Sequence, residues 1–262
     1  MQLAFVAGPS GHLAVRSTNG TGSPLVCLHG FTLHGGMFAG LAALLGRPVL
    51  APDLPGHGRT TIAPVDLPTT TGALTDWLAD GPGRSTVLGY SQGGRIALHI
   101  AAHHPDLVAS LVLVSTTPGL APAERTARRR DDAALAARLE SDGLATFLDR
   151  WLAHPTIGSR RVDAATAVAD RRLRTENTAA GLAAALRGLG QGATPPVDLA
   201  GLATPTLWIA GGDDTRYADI AEAAARATGG ELSVVPGAGH NLVLERPDAL
   251  VGLINRFAAL RW

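Results

Sequence analysis

The sequence contains no lysine: all 22 of its basic side chains are arginine, and 22 acidic side chains balance them. The lack of lysine excludes Schiff-base catalysis and any phosphate-binding loop that depends on a lysine. Because the formal net charge is zero, there is no overall positive field to attract nucleic acid or an anionic membrane. Arginine remains available, and it suits the bidentate binding of carboxylates.

Cysteine is nearly absent as well. Cys27 is the single cysteine, so no disulfide can form within the chain, and we expect this residue in a buried apolar strand. No His/Cys cluster, acidic loop or H-E-x-x-H motif has the spacing of a metal site, and we expect no metal. The sequence has no run of 18 or more apolar residues, the length needed to span a bilayer, and residues 1–7 lack the features of a signal peptide. We therefore expect a cytoplasmic protein that binds neither membrane nor nucleic acid.

Short apolar runs alternate along the chain with Ala/Leu-rich segments of helical pattern. This alternation is typical of a mostly parallel sheet covered by helices on both faces. A Gly-Pro-Ser-Gly turn at 8–11 joins the first two runs and favours a leading antiparallel hairpin. The predicted strands are residues 3–7, 12–17, 24–29, 48–53, 85–90, 110–115, 205–211 and 231–236. The predicted fold class is α/β, with eight strands and helical cover from the third strand onward.

The alternation stops at residues 117–196, where the pattern is helical and no strand is predicted. A segment of this length between two core strands is not an ordinary loop. We expect a helical lid at 117–196, inserted into a core made of 1–116 and 197–262. The lid has 12 arginines and 9 acidic residues, whereas the rest of the chain has 10 and 13. The lid is therefore basic, and a solvated helix surface is the alternative explanation of its charge.

The most specific short motif is Gly89-Tyr90-Ser91-Gln92-Gly93, which follows a predicted strand and precedes a predicted helix. At such a strand-to-helix elbow the serine has a strained backbone, so its neighbours must be small, and the helix N-terminus directs positive dipole toward it. A structural glycine-rich turn is the alternative. The surrounding pattern favours Ser91 as a nucleophile.

A serine nucleophile needs a base, and the base needs an orienting acid. His240 lies in a glycine-rich loop after the last predicted strand, where functional groups of such sheets collect. Two adjacent acids follow the preceding strand; the usual spacing selects Asp214, and Asp213 stays an alternative.

The loop after the third predicted strand can supply a backbone donor. It presents the N–H of Phe31, which together with the N–H of Gln92 would form an oxyanion hole. His29, at the start of this loop, is expected to brace it through hydrogen bonds.

Four motifs together resemble the α/β-hydrolase superfamily over the whole chain: L-H-G-F at 28–31, D-L-P-G-H-G at 53–58, G-Y-S-Q-G at 89–93 and G-A-G-H at 237–240. The order Ser, Asp, His is also that of the superfamily. Three further stretches resemble one branch, the 2-succinyl-6-hydroxy-2,4-cyclohexadiene-1-carboxylate synthases of menaquinone biosynthesis. They are G-Y-S-x-G-G-R ending at Arg95, P-G-L through R-R-R-D-D at 118–132, and L-R-T-E-N through L-R-G-L-G at 173–190.

This resemblance implies a lyase without a cofactor, which eliminates pyruvate from a cyclohexene polycarboxylate after the triad removes a ring proton. It implies that Arg95, Arg128 and Arg174 bind the substrate carboxylates, and that Tyr90 and Trp151 line the pocket. Arg95 also has positional support, because it lies one helical turn after the nucleophile. The alternative is that Arg95 only pairs with an acidic residue of the lid.

Two departures from the branch concern the pocket: Gln92 stands where an apolar residue is more common, and the segment at 32–38 is atypical. Two other classes of function are therefore kept. One is a serine hydrolase of a small acidic ester, lactone or carbon–carbon bond, which burst kinetics and turnover of simple esters would favour. The other is a binding protein that senses a small ligand without turnover.

Overall fold

The computed structural model describes residues 1–158 and 162–259 of the chain. The predicted lid and core ranges also include 159–161 and 260–262, which lie outside the described residues. The strands are β1 (Gln2–Gly8), β2 (Gly11–Ser17), β3 (Leu25–Leu28), β4 (Val49–Pro52), β5 (Ser85–Tyr90), β6 (Val108–Val114), β7 (Thr206–Gly211) and β8 (Glu231–Val235). The α-helices are α1 (Ala39–Leu45), α2 (Leu67–Asp80), α3 (Gln92–His103), α4 (Pro122–Ala153), α5 (Ala164–Arg174), α6 (Ala179–Leu189), α7 (Thr215–Thr228), α8 (Leu242–Glu245) and α9 (Pro247–Ala259), and a short 3-10 helix covers Gly35–Phe38.

The strands form one sheet in the spatial order β1-β2-β4-β3-β5-β6-β7-β8. β1 and β2 make the predicted antiparallel hairpin, and β2 also pairs antiparallel with β4. The remaining neighbours are parallel. Three strands begin one residue later than predicted, after Pro24, Pro48 and Pro205, because proline has no N–H to donate to a ladder. The predicted α/β class with eight strands is confirmed.

The core lies on both faces of the sheet because successive strand side chains point in opposite directions. Val26 and Leu28 of β3 pack with α2, α3 and α7 on one face. Leu25 and Cys27 pack with α1 and α9 on the other. The prediction of helical cover was wrong for β8, whose Leu232 and Val234 are exposed, because β8 is the last strand of the sheet.

Helices α4, α5 and α6 lie between β6 and β7, and we call residues 117–196 the helical insertion. Gly143 breaks α4 with a non-helical backbone (φ 80°, ψ 164°). A third apolar cluster joins α4 to α6, and Phe31 of the loop after β3 packs against it. The insertion therefore packs on the loop after β3. None of the described helices combines the length and apolar composition needed to cross a bilayer.

Candidate active site

Ser91 lies at the sharp turn between β5 and α3, with a positive φ of 50° and ψ of −108°. Its N–H donates to the carbonyl of Val114 (2.9 Å), and its own carbonyl accepts from Oγ1 of Thr116 (2.7 Å). A Cβ at Gly93 would lie 2.2 Å from the carbonyl oxygen of Leu28. The glycine of the motif is thus required by close packing of the turn on β3.

The structure brings Ser91, His240 and Asp214 together at the carboxyl edge of the sheet. Nε2 of His240 lies 3.2 Å from Oγ of Ser91, and Nδ1 lies 2.6 Å from Oδ2 of Asp214. Because a carboxylate only accepts, Nδ1 carries the proton and Nε2 is left to accept from the serine hydroxyl. His240 and Asp214 are both buried. Asp214 is the acid that bonds His240, whereas the backbone N–H of Asp213 donates to Ala238 (3.0 Å) and its side chain lines the cavity described below.

Close approach of two loops places the acid beside the base. A Cβ at Gly211, the last residue of β7, would lie 2.3 Å from the carbonyl oxygens of Ala238 and Gly239. Two aromatic rings then contact the imidazole of His240. Ring centroids of Tyr217 and Tyr90 lie 4.6 Å and 5.7 Å from its own, which restricts its rotation.

The loop after β3 lies close to the elbow, since a Cβ at Gly30 would be 3.4 Å from Cβ of Ser91. In residues 1–158 and 162–259, neither the N–H of Phe31 nor that of Gln92 has a hydrogen-bond acceptor. His29 braces the loop, as expected: Nε2 accepts from the N–H of Leu54 (2.8 Å), and Nδ1 donates to the carbonyl of Gly30 (2.9 Å). Burial lowers the pKa of His29 well below its usual value, so the ring is neutral and this pattern is fixed.

Asp53, fully buried after β4, ties this loop to its neighbours. Its carboxylate accepts from the N–H groups of Gly35 (2.9 Å) and Arg59 (3.0 Å) and from Nε of Arg16 (3.0 Å). Buried carboxylates need such partners to offset lost hydration. Asp53 therefore fixes the backbone of two loops at the site.

A cavity of about 570 Å³ opens beside Ser91, between the sheet edge and the helical insertion. Eight of the ten residues predicted for the site line it: Phe31, Ser91, Gln92, Arg95, Arg128, Trp151, Asp214 and His240.

Arg95 is a buried cation in the wall of this cavity. Its Nη2 donates to the carbonyl of Leu189 (2.8 Å), and its Nε has no hydrogen-bond partner. Burial lowers its pKa to about 10, so the group is charged at neutral pH. In the described parts of the chain no acidic side chain forms an ion pair with Arg95. The alternative that it only pairs with a lid acid is therefore wrong.

Arg128 lines the same cavity, and its charge is already paired with a carboxylate of the protein. Its Nε lies 2.7 Å from Oδ1 of Asp132, four residues later on α4, and its Nη1 lies 3.4 Å from Oε1 of Gln191. About a third of its side chain is exposed. It can therefore reach a ligand while keeping its ion pair.

Arg174 and Tyr90 are not among the described residues that line this cavity. Arg174 is buried, its Nε is 2.8 Å from Oδ2 of Asp170, and its Nη1 donates to Oγ1 of Thr32. Asp170 lies four residues before Arg174 on α5, a spacing from which this pair could have been predicted. Tyr90 is buried against His240.

The cavity is also lined by residues that were not predicted from the sequence, among them Gln191, Arg216 and Tyr217. Nε2 of Gln191 donates to the hydroxyl of Tyr217 (2.9 Å). Arg216 and Tyr217 lie shortly after Asp214, at the start of α7. This position beside the predicted acid is the sequence feature from which they could have been predicted. No group of three or more His, Cys, Asp or Glu side chains suited to a metal ion occurs in the described chain.

A serine at a strand-to-helix elbow, facing a histidine and an acid from later loops of a mostly parallel sheet, defines a class of enzyme fold. The chain belongs to the alpha/beta hydrolase family, whose model matches residues 25–253.

Relatives within this family carry two kinds of name. The chain is 33% identical over 248 residues to a putative 2-succinyl-6-hydroxy-2,4-cyclohexadiene-1-carboxylate synthase of Bacillus subtilis, covering 89% of each chain. It is 35% identical over 255 residues to a pimeloyl-[acyl-carrier protein] methyl ester esterase of Xanthomonas campestris, covering 92% of this chain and 96% of the other. Among solved structures, MenH from S. aureus superposes with a TM-score of 0.88 at 26% identity, covering 94% of this chain and 98% of that one.

Proposed function

We propose that this enzyme eliminates pyruvate from 2-succinyl-5-enolpyruvyl-6-hydroxy-3-cyclohexene-1-carboxylate to give 2-succinyl-6-hydroxy-2,4-cyclohexadiene-1-carboxylate. The observation that carries the proposal is Arg95, a buried guanidinium in the cavity wall without an ion-pair partner in the described chain. A buried charge is costly unless it is paired, so a ligand carboxylate would complete the site. The relative from Bacillus subtilis, which bears the name of this synthase, supports the same reaction.

In the proposed reaction Ser91 and His240 act as a base relay. Oγ of Ser91 takes a proton from the substrate ring as its own proton passes to Nε2 of His240, and Asp214 stabilises the imidazolium. The electron pair of the broken C–H bond at ring carbon 2 forms a double bond to carbon 3, and the pair of the original 3,4 double bond moves to carbons 4 and 5. The C–O bond from carbon 5 to the enolpyruvyl group breaks. The enolate of pyruvate leaves, takes a proton from Nε2 of His240 at its CH2 carbon and becomes pyruvate, which restores the neutral imidazole. The step consumes no water and needs no cofactor.

Two sets of donors would stabilise the charge in this reaction. The N–H groups of Phe31 and Gln92 would bind the oxygen on which enolate charge develops. Arg95 and Arg128 would hold carboxylates of the substrate through charge-assisted hydrogen bonds. A neutral ester would gain little from either arginine.

A second candidate is hydrolysis of a methyl ester on an acyl chain, through an acyl-enzyme at Ser91. It is favoured by the relative from Xanthomonas campestris, which is as similar as the synthase. The distance between Ser91 and His240 suits a nucleophile as well as a base relay.

The test measures pyruvate release from the cyclohexene substrate, which is made in situ by the enzyme that precedes the synthase in menaquinone biosynthesis. The blank contains that enzyme but not this protein. Methanol release from the methyl ester of a pimeloyl thioester is measured in parallel. Fast pyruvate release that is lost in Ser91→Ala and kept in Ser141→Ala, a serine exposed on α4, supports the lyase. Pyruvate release at the blank rate together with methanol release that depends on Ser91 would overturn the lyase in favour of the esterase.

A further inference from the structure

Thr32, the residue after Phe31, has a left-handed backbone (φ 67°) although it is not glycine. It is fully buried. A β-branched residue disfavours this conformation because its Cβ crowds the backbone. The conformation persists only where surrounding contacts hold it. The contacts that hold Thr32 thus also fix the peptide that joins it to Phe31, and with it the Cα of Phe31 next to which the N–H of that residue lies.

Those contacts come from the junction between α5 and α6, about 140 residues later in the chain. Nδ2 of Asn177 donates to the carbonyl of Thr32 (2.8 Å), and Nη1 of Arg174 donates to its hydroxyl. Arg174 is itself held by Asp170, at 2.8 Å and 3.2 Å. Both the backbone and the side chain of Thr32 are therefore bonded to the helical insertion.

The amide of Asn177 has a fixed orientation. Its Oδ1 accepts from the N–H of Gly58 (2.8 Å), and Nδ2 donates to the carbonyls of Thr32 and Arg174 (2.8 and 3.0 Å). An N–H partner on one side and two carbonyls on the other allow only this placement of oxygen and nitrogen. One buried side chain thus joins the insertion to the loop after β3 and to the turn after β4.

We propose that Arg174 and Asn177 are positioning residues, which hold Thr32 in its left-handed conformation and thereby aim the N–H of Phe31 at the reacting oxygen. This inference rests on the proposed function, since it takes Phe31 as an oxyanion donor. It gives Arg174 a role different from carboxylate binding. It also couples the insertion to catalysis, because the donor is in place only while the junction of α5 and α6 is docked.

The test is the rate at which an aryl phosphonate labels Ser91, since the phosphonyl oxygen occupies the oxyanion hole during that reaction. Asn177→Ala and Arg174→Met should each label at least about tenfold more slowly, because outright removal of an oxyanion donor costs about 10²- to 10³-fold. In pyruvate release, kcat should fall while KM stays nearly constant, whereas loss of a carboxylate ligand would raise KM. Thermal melts establish that each variant is folded.

A matched control lies at the same junction. Oε2 of Glu176 is 3.4 Å from Nη2 of Arg16 and from Nε2 of His34, and it does not contact Thr32. Glu176→Gln should therefore label at the wild-type rate. If Asn177→Ala does not fold, Asn177→Leu replaces it, because leucine has nearly the shape of asparagine and cannot donate to Thr32.

Rescue separates positioning from general destabilisation. Glycine adopts positive φ without steric cost, so adding Thr32→Gly to Asn177→Ala should recover most of the labelling rate. Wild-type labelling by folded Asn177→Ala and Arg174→Met, or slow labelling that Thr32→Gly does not improve, would overturn the proposal. If these variants label slowly and Thr32→Gly rescues them, but the wild-type protein releases no pyruvate, the proposed lyase activity is wrong. The positioning role is then still supported.

Discussion

Oδ2 of Asp214 lies 2.6 Å from Nδ1 of His240, while the adjacent Asp213 bonds through its backbone N–H to Ala238. Two neighbouring carboxylates in the same turn therefore have different surroundings. Only the carboxylate of Asp214 is placed to fix the tautomer of the imidazole. Because both residues are aspartates, the same substitution at each position compares the effect of position alone.

We predict that Asp214→Asn lowers kcat by about 10³-fold or more, because an amide at this position favours the wrong imidazole tautomer. Asp213→Asn should lower kcat by less than about tenfold. Steady-state kinetics of both variants on one substrate check the assignment. Equal losses in the two variants would contradict it.

We predict that Arg95→Ala lowers kcat/KM for the polycarboxylate by roughly 10²-fold, as for a lost charge-assisted contact. Turnover of a neutral ester such as p-nitrophenyl acetate should hardly change. Arg187→Ala, which removes an exposed arginine paired with Glu140, is the control and should affect neither substrate. Equal losses on both substrates in Arg95→Ala would mean that Arg95 only supports the fold.

Burial of His57 predicts that stability depends on pH. Its pKa is lowered from 6.5 to about 4 by burial, so between these values the unfolded chain binds a proton that the folded chain does not. The free energy of unfolding should therefore be greatest above pH 6.5 and fall as the pH approaches 4. The contribution of His57 to this fall is on the order of 3 kcal/mol.

Urea unfolding at several pH values measures this dependence. In His57→Gln the decline between pH 7 and pH 4 should be smaller than in the wild type. His104→Gln, at the exposed end of α3, should show the wild-type decline. A His57→Gln curve parallel to the wild type would refute the buried neutral imidazole.

We predict that Asp53→Ala lowers the free energy of unfolding by about 3–5 kcal/mol, since it leaves a part-buried guanidinium and two N–H groups without their acceptor. Chemical denaturation gives the difference. Glu140→Ala is the comparison: its ion pair with Arg187 is exposed and screened by water, so the urea midpoint should barely move.

The elements that sequence reasoning predicted best are those whose cause is local. The elbow at Ser91 follows from small residues between a strand and a helix, and the eight strands follow from apolar runs with turn residues between them. Asp214 and His240 could be named because each lies in a short loop directly after a core strand. Such loops meet at the carboxyl edge whatever their distance along the chain.

The residues that could not be predicted depend on how the helical insertion packs. The resemblance implies that Arg174 and Tyr90 contact the substrate, whereas the bond of Arg174 to Thr32 and the packing of Tyr90 on His240 are visible only in the tertiary structure. Gln191 and Tyr217 come together from two different helical regions. A local sequence pattern does not determine where a side chain points at the interface between the helical insertion and the rest of the chain.

The sequence by itself thus determined the fold class, the order of strands along the chain and the residues of the elbow, because hydrophobic periodicity and turn chemistry act over a few neighbouring residues. Tertiary structure alone decided that Arg95, among the described residues, is buried without an ion-pair partner. Arg95 and Arg174 are both buried arginines, and Arg174 has Asp170 and Thr32 as partners, whereas Arg95 has the carbonyl of Leu189. The physical reason is that the charge available to a ligand depends on every group that burial brings within reach, and those groups come from distant parts of the chain.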